Sequence, residues 1–246
     1  MLERGRTPGH YRGVAVDLRG VSTVLLPGTG SDDDYVERAF SGPLRQVGAL
    51  LVAPPPRPDR LIDGYVSALD AAARTGPIAV GGVSIGAAVA VAWALAHADK
   101  VVAVLAALPA WAGPPDGAPA ALAARHTAAQ LRADGLEVTT GQMRASSPPW
   151  LADELARSWR GQWPQLPGAM DEAAAYVAPT HAELARLAAP LGVAAAVDDP
   201  VHPLRVGVEW VGAAARAALR TVTLDQIGAD PAALGAACLA ALADAS

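Results

Sequence analysis

Cysteine, lysine and charge are scarce in this chain of 246 residues. Its one cysteine, Cys238, excludes an internal disulfide, and the apolar helix-like segment around it predicts a small buried side chain. Only 17% of the residues are charged, the formal net charge is −5, and lysine occurs once, at Lys100. The arginines are scattered and form no basic stripe, so we expect no nucleic-acid partner.

Long apolar segments are missing as well. No window approaches the roughly 18 apolar residues that a membrane-spanning helix needs, and residues 1–12 lack the apolar centre of a secretory signal peptide. These two absences predict a cytoplasmic protein with no membrane span. The hydrophobic content of 52% still allows a large core, and the length fits one α/β domain with an inserted segment.

Short apolar runs alternate with helix-like segments along most of the chain. The runs are rich in β-branched residues and are bounded by glycine and proline, which is typical of buried parallel strands. Strands are predicted at 12–18, 21–26, 49–53, 78–83, 101–108, 191–197 and 219–224, and helices at 35–47, 60–74, 85–97, 204–217 and 231–243. This order predicts an α/β fold with a mostly parallel central sheet and helices on both faces.

The alternation stops between residues 110 and 190. This segment is helix-like, contains many prolines, and holds four of the six tryptophans: Trp111, Trp150, Trp159 and Trp163. We predict that it forms a helical cap over the carboxyl ends of the strands. The chain would then divide into core residues 1–109, cap residues 110–190 and core residues 191–246. The tryptophans either line a substrate cavity or pack the cap onto the sheet.

The pentapeptide Gly82-Val83-Ser84-Ile85-Gly86 is the most informative motif of the chain. A predicted strand leads into it and a helix-like run follows it. In this context the G-x-S-x-G pattern is typical of a nucleophile elbow, a tight strand-to-helix turn that exposes a serine hydroxyl. The flanking glycines leave the room that a side chain would block. Ser84 is therefore the candidate nucleophile.

Two further segments, together with the elbow, resemble the α/β-hydrolase family, and the resemblance covers nearly the whole chain. Pro27-Gly28-Thr29-Gly30 follows an apolar strand, where the family has its oxyanion loop. Asp199-Pro200-Val201-His202-Pro203 follows the penultimate predicted strand and is similar to the family's acid loop. The resemblance implies an α/β-hydrolase fold with an inserted cap and a serine hydrolase activity.

The same resemblance implies roles for individual residues. Ser84 would be the nucleophile, and Asp199 would be the acid that orients a histidine, with Asp198 as the neighbouring alternative. The oxyanion would be bound by backbone N–H groups, at Ile85 and at Thr29 or Gly30.

The family's catalytic histidine belongs after the last strand, and this chain has none there. That segment, residues 225–230, is predicted to be a loop, and no histidine follows His202. His202 lies in the acid loop itself, but the prolines on both sides of it leave little freedom to turn its imidazole toward Ser84. The other candidates for the base are His126 and His181 in the cap segment and the carboxylates of Asp225 and Asp230.

Two functions stay open at this point. One is a serine hydrolase that cleaves a small or medium acyl ester or thioester through Ser84, Asp199 and His202. The other is a catalytically degenerate relative that binds a ligand or a partner, which the absent C-terminal histidine slightly favours. No cofactor or metal is expected, because the chain has no dinucleotide or phosphate loop. The run Asp32-Asp33-Asp34 fits a helix N-terminus better than a cation site.

Overall fold

The structure is a computed structural model and describes residues 16–245. Within this range six parallel strands form one sheet in the order β2-β1-β3-β4-β5-β6. The strands are β1 (Ser22–Leu26), β2 (Leu50–Val52), β3 (Ile78–Val83), β4 (Val101–Ala107), β5 (Leu191–Ala196) and β6 (Ala217–Val222). The helices are α1 (Asp33–Gln46), α2 (Leu61–Ala72), α3 (Ile85–Ala96), α4 (Pro119–Ser146), α5 (Pro149–Gln162), α6 (Leu166–Ala175), α7 (His181–Leu184), α8 (Leu204–Ala213), α9 (Leu224–Ala229) and α10 (Ala232–Asp244).

The order of the strands reverses at β1. From β1 the chain crosses to the edge strand β2, then returns past β1 to β3, after which β4, β5 and β6 follow in sequence. Ligands of open parallel sheets bind at the carboxyl ends of the strands where the order reverses. Here that point lies between β1 and β3, and these two strands end at the predicted oxyanion loop and at Ser84.

Helices cover both faces of the sheet and share a hydrophobic core with each face. In β3, Ile78 and Val80 contact the cluster that includes α2, α3 and α8, whereas Ala79 and Val83 contact the cluster that includes α1 and α10. Every residue of β3 and β5 is buried, as expected for strands that are covered on both sides. The predicted parallel sheet between two helical layers is confirmed.

Between β4 and β5 the described chain contains four helices, α4 to α7, and no strand. Helix α4 is interrupted at Gly135, whose φ of 78° and ψ of 174° are not helical, so it consists of two arms. Residues of α4, α5 and α6 form a small core of their own: Ala128, Leu131, Trp159, Leu166 and Met170. These helices occupy the segment for which the sequence predicts a cap, and the domain division itself stays a prediction.

Polar contacts connect this cap segment to the helices that flank the sheet. The carboxylate of Glu172 in α6 accepts hydrogen bonds from the backbone N–H groups of Leu61 at 2.8 Å and Ile62 at 3.1 Å, at the start of α2. The guanidinium of Arg157 in α5 donates two hydrogen bonds to the carboxylate of Asp32, at 2.6 and 3.0 Å. Side chains of the cap segment therefore satisfy or neutralise groups at the N-termini of α1 and α2.

Three predicted elements have wrong boundaries. Residues 16–18 of the strand predicted at 12–18 form no strand, and its earlier residues lie outside the described range. The helix predicted at 204–217 ends at Ala213, and the next strand occupies Ala217–Val222 instead of 219–224. Residues 213–219 are mostly alanine with one arginine, Arg216, and a pattern with so few polar positions fits a helix or a strand equally well.

The segment after β6, predicted as an open loop, is helix α9. Thr223 and Gln226 form a capping box in which each side chain bonds the backbone N–H of the other, at 3.1 and 2.9 Å. This pattern satisfies the free N–H groups of a helix start and was not recognised in the sequence. None of the helices in the described part of the chain has the length and hydropathy of a membrane-crossing segment.

Candidate active site

Ser84 lies in a strained turn between β3 and α3. Its φ of 55° and ψ of −116° belong to a region that residues with a side chain rarely adopt. A Cβ atom at Gly82 or Gly86 would overlap the carbonyl oxygen of Leu26 at the end of β1. The two motif glycines therefore allow the turn to pack directly against β1, which brings Ser84 next to the loop after that strand.

The imidazole of His202 connects Ser84 to Asp199. Its Nε2 atom lies 2.9 Å from Ser84 Oγ, and its Nδ1 atom lies 2.8 Å from Asp199 Oδ2. The side chains of His202 and Asp199 are only 18% and 9% exposed, and all three residues border one cavity. A hydroxyl on one ring nitrogen and a carboxylate on the other is the arrangement of a Ser-His-Asp triad.

The expectation that the prolines keep His202 away from Ser84 is wrong. Asp199 Oδ1 accepts the backbone N–H groups of Val201 at 2.7 Å and His202 at 3.1 Å, which folds the segment after β5 into a tight turn. This turn brings an imidazole and a carboxylate three residues apart into hydrogen-bond contact. The fixed φ angles of Pro200 and Pro203 restrain the backbone of a turn that already has the required shape.

The carboxylate of Asp199 is held in its ionised form. Burial alone would raise its pKa, but the hydrogen bond and the charge of the His202 side chain, with the backbone N–H groups of His202 and Val201, lower the pKa below its usual value. An ionised carboxylate on Nδ1 favours the tautomer with a proton on that nitrogen. Nε2 is then free to accept the proton of the Ser84 hydroxyl.

The other candidates for the acid or the base have different contacts. Asp198 Oδ1 accepts the N–H of Leu224 at 2.9 Å, and Asp230 Oδ1 accepts the N–H of Ala232 at 2.9 Å, so each binds the first N–H group of a helix. Asp225, Asp230 and His181 are not among the described residues that border the cavity; His181 lies 3.8 Å from Glu209. His126 borders the cavity in α4 with an exposed side chain.

The predicted oxyanion loop lies beside the elbow. Gly28 and Thr29 border the cavity, and a Cβ atom at Gly28 would be 3.6 Å from the Cβ of Ser84. Ile85 is the first residue of α3, where backbone N–H groups have no acceptor within the helix and the helix dipole is positive. The backbone N–H groups of Thr29 and Ile85 thus lie in chain segments adjacent to Ser84.

The cavity has a volume of about 570 Å³ and lies between the ends of β1, β3 and β5 and helices α4 to α6. Three of the four cap-segment tryptophans border it, Trp111, Trp150 and Trp159, whereas Trp163 does not and is 39% exposed. Trp150 also packs on Gly228 of α9, where a Cβ atom would overlap its indole ring. The tryptophans therefore line a cavity and pack the cap segment onto the core at once.

Two residues of the site escaped the sequence reasoning. Leu108, directly after β4, borders the cavity and has a φ of 48°, a second strained residue next to the elbow. Thr139 in α4 borders the cavity and is 1% exposed. The helical spacing of Thr139 with Gln142, Met143 and Ser146 was the available signal, but it does not reveal which face of α4 points to the cavity.

The aspartates at the start of α1 have a structural role. Asp32 accepts the backbone N–H of Tyr35 at 3.1 Å and caps α1, as the sequence predicts. Within residues 16–245, no group of three or more His, Cys, Asp or Glu side chains has an arrangement that could hold a metal ion.

Compared by sequence, the chain matches no protein-family model and no curated protein. Its fold is similar to many solved structures. A hydrolase from Pseudomonas aeruginosa PA01 is 22% identical with a TM-score of 0.65, covering 91% of this chain and 90% of that one. A thermophilic esterase from Thermogutta terrifontis is 17% identical (TM-score 0.62, 84% and 81% covered), and an enol-lactonase from Burkholderia xenovorans LB400 is 19% identical (TM-score 0.62, 88% and 85% covered). The chain therefore has the α/β-hydrolase fold that its sequence predicts.

Proposed function

We propose that the protein is a serine hydrolase that cleaves a carboxylic ester, with Ser84 as nucleophile, His202 as general base and acid, and Asp199 as the group that orients His202. One observation carries this proposal. His202 Nε2 lies 2.9 Å from Ser84 Oγ and His202 Nδ1 lies 2.8 Å from Asp199 Oδ2, so each ring nitrogen is within hydrogen-bond distance of its partner. Serine is a poor nucleophile unless an adjacent base removes its proton, and this contact supplies the base.

The reaction follows from these positions. His202 Nε2 takes the hydroxyl proton as Ser84 Oγ bonds to the acyl carbon, and the carbonyl oxygen becomes an oxyanion that the N–H groups of Thr29 and Ile85 stabilise. His202 returns the proton to the leaving alcohol as the ester bond breaks, which leaves an acyl group on Ser84. His202 then takes a proton from a water molecule whose oxygen bonds to the acyl carbon; the bond to Ser84 Oγ breaks, His202 returns the proton to that oxygen, and the acid is released.

The fold supports an ester as the substrate class. Two of the similar structures are named an esterase and an enol-lactonase, and both names denote cleavage of an ester-type bond in those proteins. Fold similarity alone does not carry an activity to another chain. An ester substrate also agrees with the cavity. The tryptophan, methionine, leucine and alanine side chains of its wall suit a small or medium, largely apolar molecule.

A fluorophosphonate probe tests the proposal, because it bonds only to a serine whose hydroxyl is activated. We expect labelling of the wild-type protein on Ser84, identified by peptide mass spectrometry, and loss of labelling in Ser84→Ala and His202→Ala. His181→Ala is the matched control, since His181 lies outside the cavity. Equal labelling of wild type and Ser84→Ala would contradict the proposal and leave the ligand-binding, non-catalytic alternative.

A further inference from the structure

Positive charge is scarce around the cavity: besides His202, the one histidine among the described residues that border it is His126, which is exposed. Among the described residues that border it there is no arginine and no lysine. The carboxylates on its wall are already paired, Asp32 and Glu154 with Arg157, and Asp199 with His202.

Two arginines close to the residues that border the cavity, Arg38 and Arg125, already have partners. Arg38 pairs with Glu154 and Asp34, and Arg125 donates to the carbonyl oxygen of Ala174 at 2.7 Å. A carboxylate of a bound substrate would find no arginine or lysine partner there and would lose part of its hydration on entering. The part of the substrate that enters the cavity is therefore expected to be uncharged.

The same cavity contains a buried hydroxyl without a partner. Thr139 is 1% exposed, and its Oγ1 atom makes no hydrogen bond with any described residue. It shares one face of α4 with Gln142, Met143 and Ser146, all of which border the cavity. A buried hydroxyl that stays unpaired destabilises the protein, and an acceptor atom of a ligand would relieve that cost.

Two other unpartnered donors border the cavity, the indole N–H groups of Trp150 and Trp159. Each indole nitrogen lies against a glycine, Gly228 for Trp150 and Gly30 for Trp159, so backbone covers it. The Thr139 hydroxyl is the one of these three donors that lies against no glycine of the described chain, so we take it as the group offered to a ligand.

We infer, on the basis of the proposed function, that the substrate is an uncharged ester with a second hydrogen-bond acceptor, such as a second ester carbonyl, that Thr139 Oγ1–H contacts. Thr139 is then a specificity-determining residue. The cavity would exclude the corresponding ester with a free carboxylate, although the two differ by one methyl group.

Thr140 provides a matched control. Its Oγ1 atom is also buried and unpartnered, but Thr140 does not border the cavity. Replacing either threonine by the isosteric valine removes one unpaired hydroxyl, so we expect each substitution to raise the melting temperature, by about 2–4 °C for each 1 kcal/mol gained. Only Thr139→Val should change the choice of substrate.

The test uses p-nitrophenyl esters of straight-chain diacids, from succinate to suberate, whose far carboxyl group is methylated. Each is compared with the p-nitrophenyl alkanoate of equal length. In Thr139→Val we expect the ratio of the two kcat/KM values to fall about three- to tenfold at one or more chain lengths, which is the contribution of one hydrogen bond. In Thr140→Val the ratio should equal that of wild type.

The free far carboxylates of the longer diacids form the second arm. We expect their kcat/KM to be at least about 100-fold below that of the methylated esters, because an unpaired buried charge costs several kcal/mol. Hydrolysis of both forms at rates within tenfold of each other, or an unchanged ratio in Thr139→Val at every chain length, would overturn the inference.

Binding to Ser84→Ala protein separates this inference from the catalytic proposal. Dimethyl esters of the same diacids should raise its melting temperature, the free diacids should not, and adding Thr139→Val should reduce the increase. This result without any Ser84-dependent hydrolysis would contradict the catalytic proposal and support the ligand class. Ser84-dependent hydrolysis without the binding preference would support the catalytic proposal and contradict the inference about the ligand.

Discussion

At the scale of single residues, the proposed chemistry of the site depends on His202. Its two ring nitrogens contact Ser84, the proposed nucleophile, and Asp199, the proposed acid, and its position three residues after Asp199 means that one short turn supplies both the imidazole and the carboxylate. The five histidines of the chain include no other that contacts Ser84 among the described residues. The proposed mechanism therefore requires the imidazole of His202.

His202→Ala should lower the hydrolysis rate of an activated ester as severely as Ser84→Ala, by about 10⁴-fold or more. Because the two residues act as one unit, the double substitution should cost no more than either alone. The measurement is kcat/KM for p-nitrophenyl butyrate, with His181→Ala as the control that keeps the wild-type rate. A His202→Ala protein with more than a tenth of that rate would disprove the assignment of the base.

A histidine placed at Ala229 tests whether a base after the last strand, where the resemblance to α/β-hydrolases implies one, can act on Ser84. Ala229 is exposed at the last turn of α9 and is not among the described residues that border the cavity. We therefore expect Ala229→His to leave the esterase rate unchanged in wild type and to restore nothing in His202→Ala. A clear gain in either background would show that α9 can move an imidazole to Ser84.

Asp199→Asn should reduce kcat by about 10³–10⁴-fold, since an amide at this position no longer favours the required tautomer of His202.

Stability should change with pH in a definite direction. The pKa of Asp199 is lowered in the folded state, so its carboxylate stabilises the fold above the unfolded pKa of about 4, and this contribution is lost as the pH falls through the folded pKa.

Urea unfolding of wild type and Asp199→Asn between pH 3 and pH 7 measures this effect. The range includes the ordinary carboxyl pKa of about 4. The difference in unfolding free energy should be largest near neutral pH and should shrink in acid. A difference that is constant over the range would mean that the ionised carboxylate does not stabilise the folded state.

At the scale of helices, α9 and α5 meet where Trp150 packs on Gly228. Residue 228 has an ordinary helical backbone, so alanine is forbidden there only by the indole ring, which its Cβ would overlap. Trp150 also borders the cavity, so a displaced ring changes the shape of the substrate site. The contact joins the cap segment to the C-terminal part of the core.

Gly228→Ala should destabilise the protein by about 1–3 kcal/mol, the usual cost of overpacking, and should raise KM. Gly161→Ala in α5 is the matched control, because nothing lies within 4 Å of a Cβ atom there. It should stabilise the protein by about 0.4–1 kcal/mol through the lower entropy of the unfolded chain. Thermal unfolding and ester kinetics measure both, and equal effects of the two substitutions would refute the contact.

At the scale of the whole molecule, a part-buried polar contact of Glu172 connects the cap segment to the core. Glu172 accepts two backbone N–H groups at the start of α2, with the cap segment on one side and the core on the other. Asp171, its neighbour, pairs with Arg132 inside the cap segment and is 45% exposed. Glu172 thus makes a contact between the cap segment and the core, whereas Asp171 makes a contact within the cap segment.

Glu172→Ala should cost about 0.5–2 kcal/mol, as the loss of a helix N-cap does, and should make the cap segment more sensitive to limited proteolysis. Asp171→Ala removes an exposed ion pair and should cost about 0–1 kcal/mol without that sensitivity. Cleavage sites mapped by mass spectrometry distinguish the two cases. Identical cleavage patterns would indicate that Glu172 does not hold the cap segment to α2.

Much of the fold was predictable from local sequence. The strands at 21–26, 49–53, 78–83, 101–108 and 191–197 lie within about two residues of the observed ones, because strands of a parallel sheet are short apolar runs with clear boundaries. The strand-to-helix turn at Ser84 was predictable from local sequence as well, because a glycine-flanked serine between a strand-like and a helix-like run favours such a turn. Alanine-rich segments near residue 213 and the capping box of α9 were missed, since periodicity does not describe them.

The sequence by itself determined the parallel α/β fold, the position of Ser84 and the shortage of candidates for its base, because each rests on residues adjacent in the chain. Only the tertiary structure decided which imidazole reaches the serine. Ser84 and His202 are 118 residues apart, and their distance depends on the register of β3, β4 and β5 and on the turn that Asp199 caps. Side-chain direction after such a turn is a property of packed strands and hydrogen bonds, which no local pattern contains.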